Sequence, residues 1–430
     1  MDILTVALLI GLLIAVLASG FWIGLTLLGV AFFSMAAFTP RMVGDSMVFT
    51  IWGSTSGWAL TALPLFLWMG EILFRSRLTA DLFRGLAPWL NRIPGRLLHA
   101  NVIGCGIFAA VSGSSAATCA TIGKITLPEL KKRGYPDDIS IGSLAGAGTF
   151  GLMIPPSIIM IVYAVATDVS IARLFVAGVI PGLMLMAVFS GYLVLWALRN
   201  PGQIPLADAG MGFIEKIKAA RHLIPVVALI ALVIGSIYSG IATATESAAL
   251  GVAGALILSA LEGSMSWKIF KEGLYAACRV YCMIGLILAG ASFLTLAMGF
   301  IGLPREVAAF IGSLQLPPFL LLVLLMGFFI ILGCFLDGIS MVVLTMAVLL
   351  PTVQAAGIDL MWFGVFVVLV VEMAQITPPV GFNLFVLQGL TQREVPYLAR
   401  TALPFFFLLM LVIGLVYLFP QLVLWLPSLM

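Results

Sequence analysis

Charge is scarce in this chain: of 430 residues only 9% are Asp, Glu, Lys or Arg, whereas a soluble domain carries roughly 25%. Too little polar surface is left to cover a water-soluble enzyme. Histidine is scarcer still, with His99 and His222 more than a hundred residues apart. The five cysteines (Cys105, Cys119, Cys278, Cys282 and Cys334) lie in apolar stretches without metal-type CxxC pairing, which argues against structural zinc, haem and a disulfide framework. There is no HExxH and no acid/base dyad with a partnered His, so an intramembrane hydrolase has little to stand on. No Lys or Arg precedes Arg41, so the opening MDILTVALLIGLLIAV lacks the basic n-region of a cleavable signal peptide. The apolar stretches also lack the period-two alternation of a membrane barrel.

What is abundant is apolar surface, with 62% hydrophobic residues and a mean hydropathy of +1.21. At about 20 residues per crossing, this predicts an all-α polytopic membrane protein. Apolar segments are expected near 3–19, 21–38, 56–74, 97–128, 137–167, 173–198, 223–239, 246–261, 274–299, 319–351, 360–390 and 402–427. Segments 97–128 and 319–351 have polar or small-residue centres, GSSAA and LDGIS. As single helices they would be about 48 Å long, and as two crossings about 22 Å per arm, against a core of roughly 30 Å. Re-entrant helical hairpins fit better. With both hairpins entering and leaving on one side, eighteen of the 21 Lys and Arg fall on one face and only Arg41, Arg173 and Arg305 on the other. The positive-inside rule makes the first face cytoplasmic and both termini external. The run LKKRG is then a topogenic loop, and nucleic acid is not an expected partner.

Sliding the sequence over itself by 223 residues matches 94–181 with 317–404 without a gap. Six prolines in the first window and seven in the second give five coincidences, Pro94/Pro317, Pro128/Pro351, Pro155/Pro378, Pro156/Pro379 and Pro181/Pro404, where about 0.5 is expected by chance. Equivalent loops differ in charge, LPELKKRGYPDD against LPTVQAAGIDLM. They are therefore expected on opposite faces, as in the inverted repeats of secondary transporters.

Each repeat holds two special places. One is a hairpin tip: Ser112, Gly113, Ser114, Ser115 and Thr118 in the first half, Asp337, Gly338, Ser340 and Thr345 in the second. The other is a double proline, GTFGLMIPPS at 148–157 and EMAQITPPVGFN at 372–383, which removes two backbone donors and should break its helix near midplane. Unwound carbonyls around Gly151, Ile154 and Pro156, with hydroxyls of the first tip, offer neutral oxygens to a hard monovalent cation. Thr377, Pro379 and Asn383 with the Asp337 loop offer a second set. Helix N-termini at the tips suit a carboxylate. Sodium is the expected coupling ion, because no chain of buried acids and histidines suggests a proton relay. Small-residue runs such as GSLAGAGTFG also serve as helix-packing surfaces; recurrence in both halves favours function. Glu71 is expected to pair with Arg75, and Glu246 and Glu372 stay open between a structural hydrogen bond and a site role.

In SGSSAAT, LPELKKRGYP, GLMIPPS, FLDGISMVVLT and ITPPVGFNLFV the chain resembles, over nearly its whole length, the large membrane (DctM-like) subunit of tripartite ATP-independent periplasmic (TRAP) transporters. The resemblance implies an elevator-type fold with an inverted repeat, two re-entrant hairpins and two broken helices. Its divisions would be scaffold helices and a first arm helix (1–96), transport-domain half one (97–168), scaffold helices and a second arm helix (169–318), transport-domain half two (319–390) and a C-terminal scaffold helix (391–430). The arms would be the interfacial stretches 76–92 and 301–315. The resemblance implies sodium-driven import of a small organic anion, such as a C4-dicarboxylate or sialic acid, across a bacterial inner membrane. A separate four-helix (DctQ-like) subunit and a periplasmic (DctP-like) binding protein would be its partners, beside membrane lipid. A first sodium site would use Ser112, Ser114, Gly151, Ile154 and Pro156. A second would use Asp337, Gly338, Thr345, Thr377 and Pro379, and the substrate would meet the tips and Asn383. The pattern departs at Gly338, where the family has proline. A stand-alone sodium- or proton-coupled divalent-anion symporter is the competing reading.

Overall fold

In lipid every backbone polar group must be satisfied within the chain, and helices do this segment by segment. The computed structural model describes residues 3–205, 212–306, 309, 314, 316–333, 336–379 and 381–430; among these residues all regular elements are helical. The first half runs α1 (Ile3–Ala18), α2 (Ile23–Phe38), α3 (Val43–Thr55), α4 (Ala62–Arg75), α5 (Leu78–Leu90), α6 (His99–Ser112), α7 (Ser115–Lys132), α8 (Asp137–Ala147), α9 (Ile158–Thr167) and α10 (Ile171–Arg199). The second runs α11 (Phe213–Ala220), α12 (Ile224–Tyr238), α13 (Ala244–Leu261), α14 (Trp267–Ile301), α15 (Pro318–Gly333), α16 (Gly338–Ala355), α17 (Leu360–Gln375), α18 (Phe382–Thr391), α19 (Val395–Leu418) and α20 (Gln421–Leu424). Among the described residues, seven helical runs are long and apolar enough to cross a membrane: Trp58–Arg75, Ile171–Arg199, Phe213–Tyr238, Ala244–Leu261, Trp267–Ile301, Gly338–Ala355 and Val395–Leu418.

The duplication is visible bond by bond. Shifted by 223, the bounds of α7 fall on those of α16, and α8 and α17 begin at equivalent residues. Ser114 and Asp337 are equivalent, and each caps its helix: Ser114 accepts from the Ala117 N–H, Asp337 from those of Ile339 and Ser340. The matching C-termini close alike. Gly134 (φ +83°) and Gly357 (φ +70°) both take the left-handed conformation, and Tyr135 N–H to Leu130 C=O (3.0 Å) is matched by Ile358 N–H to Val353 C=O (3.2 Å). Glycine serves there because a side chain resists positive φ. Both double prolines interrupt their helices as expected, one between α8 and α9, the other between α17 and α18, and both Pro-Pro bonds are cis.

Several expectations need correction. The four hairpin arms, α6, α7, α15 and α16, hold 14, 18, 16 and 18 residues, so the longer ones reach about 27 Å. Arm length alone therefore does not decide between re-entry and crossing, because the helices run past the apolar stretches that announced them. Helix α3 was not expected at all: it has no fully buried residue, although it packs along α14, and polar and small residues scattered among its apolar ones leave no long apolar run. Helix α14 continues unbroken for 35 residues, about 52 Å, where only 274–299 looked apolar. The segment 402–427 is interrupted after Leu418. The first arm stretch is α5; residues 307, 308, 310–313 and 315 of the second, and Cys334, lie outside the described residues.

Cross-packing joins the halves. Helix α8 lies on α19, so closely that a Cβ on Gly142 would sit 2.2 Å from the Thr401 carbonyl oxygen. Helix α17 packs on α10 and α9, Gly364 accommodating the Tyr163 ring while the Tyr163 hydroxyl donates to the Leu360 carbonyl at 2.6 Å. The rings of Phe150, Phe189 and Phe405 fill the space below the first break, with centroids 5.2 and 5.1 Å apart. Among the remaining helices, α2 runs along α14, where a Cβ on Gly290 would lie 2.6 Å from the Gly24 carbonyl oxygen, and α13 runs along α4. Small residues bring these backbones together, as helix association in lipid requires. Glu71 meets Arg75 at 3.2 Å as expected, and Arg75 also reaches Glu272 at 3.0 Å.

Candidate functional site

The first tip is two residues between α6 and α7. Gly113 ends α6 with φ +63°, and Ser114 begins α7 from an extended conformation. The Ser112 and Thr118 hydroxyls share a hydrogen bond of 2.8 Å, and Thr118 donates to the Ser114 carbonyl at 2.8 Å. Ser112, Ser115 and Thr118 are buried.

This tip is pressed against the first break. Residues 148–151 form a 3-10 turn, and Gly151 approaches so closely that a Cβ there would lie 2.4 Å from the Ser114 carbonyl carbon and oxygen. On the other side the Ile158 N–H donates to the Gly113 carbonyl at 3.3 Å, and the Pro156 carbonyl oxygen faces Gly113. The Ser157 hydroxyl donates to the Leu152 carbonyl and caps α9 through the Met160 N–H. Ser112, Ser114, Gly151 and Pro156 are thus brought together, and Ile154 lies in the same connection, its own N–H bonded to the Phe150 carbonyl at 2.9 Å.

The second tip is held mainly by its own carboxylate. Asp337 Oδ2 accepts the N–H groups of Ile339 at 3.1 Å and Ser340 at 3.3 Å, and the Ser340 hydroxyl donates to Oδ1. Three donors at a helix N-terminus account for a half-buried carboxylate here, and the helix dipole adds to them. Gly338 sits against Val371, Ile159 and the Gln375 amide; a side chain or ring there would displace them, which gives the departure from proline a local cause. Thr377 Oγ1 donates to the Met373 carbonyl at 2.7 Å and the Thr377 carbonyl accepts the Gly381 N–H at 3.0 Å. Pro379 is exposed next to them. Thr345 does not join the tip. It lies two turns into α16, about 10 Å from the tip, with its hydroxyl bonded to the Met341 carbonyl at 2.7 Å.

Asn383 was expected beside the Asp337 loop, yet it faces the other half: its amide nitrogen is 3.3 Å from where a Cβ of Gly148 would be, next to Cys119. It is fully buried and neither amide atom has a partner. Glu372, also fully buried, comes to the same turn, facing the Thr149 hydroxyl and the Met153 backbone, with neither oxygen in a well-formed hydrogen bond. Gln375 Oε1 is a further buried oxygen without a partner. Buried polar groups are normally satisfied, and an unsatisfied ionisable group at membrane depth marks a site. Glu372 stays open in sequence between a structural and a site role, and Gln375 and Thr149 were missed as site residues although they lie inside the quoted motifs, because nothing in a sequence shows which half a helix face meets. Glu246 resolves the other way, closing a capping box with Thr243.

The sequence matches the family described as "Tripartite ATP-independent periplasmic transporter, DctM component" over residues 10–422. It is 31% identical to the C4-dicarboxylate TRAP transporter large permease protein DctM of Pseudomonas aeruginosa, covering 91% of each chain. It is 32% identical to the ectoine/5-hydroxyectoine large permease UehC of Ruegeria pomeroyi, covering 86% of each. The isethionate permease DctMQ of Oleidesulfovibrio alaskensis is 29% identical, with 91% of this chain aligned to 61% of that one. In fold the chain is similar to the Alcanivorax borkumensis YdaH transporter (TM-score 0.65, 14% identity, 94% and 96% of the two chains). It is also similar to Neisseria gonorrhoeae MtrF (TM-score 0.54, 13% identity, 87% and 83%).

Proposed function

Because the chain belongs to the DctM family, the large permease subunits of TRAP transporters, which are transporters and not enzymes, we propose that it imports a small organic anion across the bacterial inner membrane by sodium symport. A periplasmic binding protein delivers the substrate, and a four-helix small-subunit component completes the membrane complex. The observation that carries this reading is the packing of the capped first hairpin tip against the first helix break, close enough at Gly151 that only glycine fits. Carbonyls and hydroxyls at the first tip supply uncharged oxygens of the kind sodium takes, and the Asp337 carboxylate adds a charge at the second. The helix N-termini at Ser114 and Asp337 favour an anion between the tips, with Asn383 offering an unused amide. The two halves move the site by an elevator motion, with both hairpins re-entrant. This topology has a direct check: in a cysteine-free background, membrane-impermeant thiol labelling of intact cells should reach a Cys at Gln354 and not one at Lys131, both exposed positions. Equal access removes the inverted arrangement.

Named relatives divide between C4-dicarboxylates, ectoines and isethionate, so the cargo is decided by uptake. The chain, its small subunit and the cognate binding protein reconstituted in liposomes should take up one member of a panel of C4-dicarboxylates, sialic acid, isethionate and ectoine. Replacing external sodium by potassium should abolish that uptake. Sodium-independent uptake would favour proton coupling, and uptake without the binding protein would favour a stand-alone symporter.

A further inference from the structure

Two cavities of nearly equal size lie on the hairpin helices, about 500 Å³ beside α16 and about 540 Å³ beside α7. They are one cavity of the fold repeated. Met346, Ala347, Leu350 and Pro351 line the first and, 223 positions earlier, Gly123, Lys124, Leu127 and Pro128 line the second. The α9 terminus around Asp168 closes one, and the equivalent α18 terminus around Gln392 closes the other, both residues having left-handed backbones (φ 57° and 55°).

Their chemistry differs sharply. The α16 cavity has one charged side chain, Asp168. The α7 cavity has Lys124, Lys131 and Arg393 against Asp137 alone. Asp137 is already bound to Arg393 at 2.7 Å, so among the described residues neither lysine has an ion-pair partner. Lys124 and Lys131 are seven residues apart and share a face of α7. Lys124 stands where the other repeat has alanine, inside the helix and away from the topogenic LKKR loop. Ser140 lines the same cavity, is 4% exposed, and its hydroxyl has no hydrogen-bond partner. Two unneutralised ammonium groups, a guanidinium with donors to spare and an unused buried hydroxyl form a set complementary to an oxyanion.

We infer that the α7 cavity binds an oxyanion group, carboxylate or phosphate, at the cytoplasmic foot of the first hairpin. A bound group bridges α7 to the Asp137–Arg393 pair, and so ties the hairpin to both α8 and the link between α18 and α19. The group comes either from a free anion of the cytosol or from the head of an anionic phospholipid. Which source applies does not depend on the transport substrate.

The full chain in phosphatidylcholine nanodiscs, titrated with inorganic phosphate, tests the free-anion source. Replacing phosphatidylcholine by phosphatidylglycerol, without phosphate, tests the lipid. Thermal melting is the readout. The double substitution Lys124→Ala, Lys131→Gln installs the residues of the other repeat at two exposed positions. It should melt with the wild type in phosphatidylcholine alone, and Lys124→Gln is the milder second variant. At least one probe should raise the wild-type melting temperature, with that shift lost in the double variant and reduced in Lys124→Gln. Asp168→Asn, in the other cavity, should keep the wild-type response. No shift with either probe, or equal shifts in wild type and double variant, overturns the inference.

Discussion

Gly151→Ala is expected to lower sodium-driven uptake at least about a hundredfold, a loss of about 2.7 kcal/mol, while the rest of the molecule still folds. The new Cβ would lie 2.4 Å from the carbonyl carbon and oxygen of Ser114 and 2.8 Å from the Ser115 nitrogen. All three are backbone atoms, so no side chain can rotate out of the way. The Ser114 carbonyl is also fixed by the Thr118 N–H (3.0 Å) and hydroxyl (2.8 Å). The tip and the 3-10 turn must separate, and the oxygens they hold together separate with them. Gly113→Ala should act in the same way, its Cβ 2.7 Å from the Pro156 carbonyl oxygen on top of a left-handed φ. Gly134→Ala is the control: it has the same kind of φ but open space around it, so it carries the conformational cost, about 1–2 kcal/mol, without the collision. Uptake by Gly151→Ala at the wild-type rate, with Gly134→Ala equally active, would separate the tip contact from transport.

How much of this was legible depends on whether the signal is local. Proline pairs remove donors wherever they stand, so both breaks could be placed from sequence, as could Gly134 and Gly357 by their recurrence. The capping roles of Ser114 and Asp337 follow from residue type at a helix start. Local signals fail once the question is which surfaces meet. Asn383 belongs to the second repeat by sequence and to the first by contact, because α18 crosses to the opposite half. Glu372 of α17 likewise meets Thr149 across the halves. Helix α3 escaped notice because it is short, mixes polar and small residues with apolar ones and buries none of them fully, so no long apolar run records it. The hairpin arms were underestimated because polar residues such as Lys131 and Gln354 continue the helices beyond the apolar window.

Asp337 poses the sharpest choice between a cap and an ion ligand, and substitutions can separate them. Asparagine is as good an N-cap as aspartate, so Asp337→Asn should keep the bonds to the Ile339 and Ser340 N–H groups and cost well under about 1 kcal/mol of stability. It removes a full charge from a half-buried tip, where a unit charge about 4 Å from a cation contributes up to about 4 kcal/mol at an effective dielectric constant of 20. The sodium concentration for half-maximal uptake should therefore rise at least about tenfold in Asp337→Asn, with the melting temperature close to wild type. Asp337→Ala loses the cap as well, at a cost of about 1 kcal/mol, and should show both effects. Asp337→Ser copies Ser114 of the first repeat and should resemble Asp337→Asn in sodium dependence, because a neutral cap suffices at the other tip. If Asp337→Asn needs no more sodium than wild type, the carboxylate serves only to start α16, and any cation at the second tip must be held by carbonyls and by Thr377.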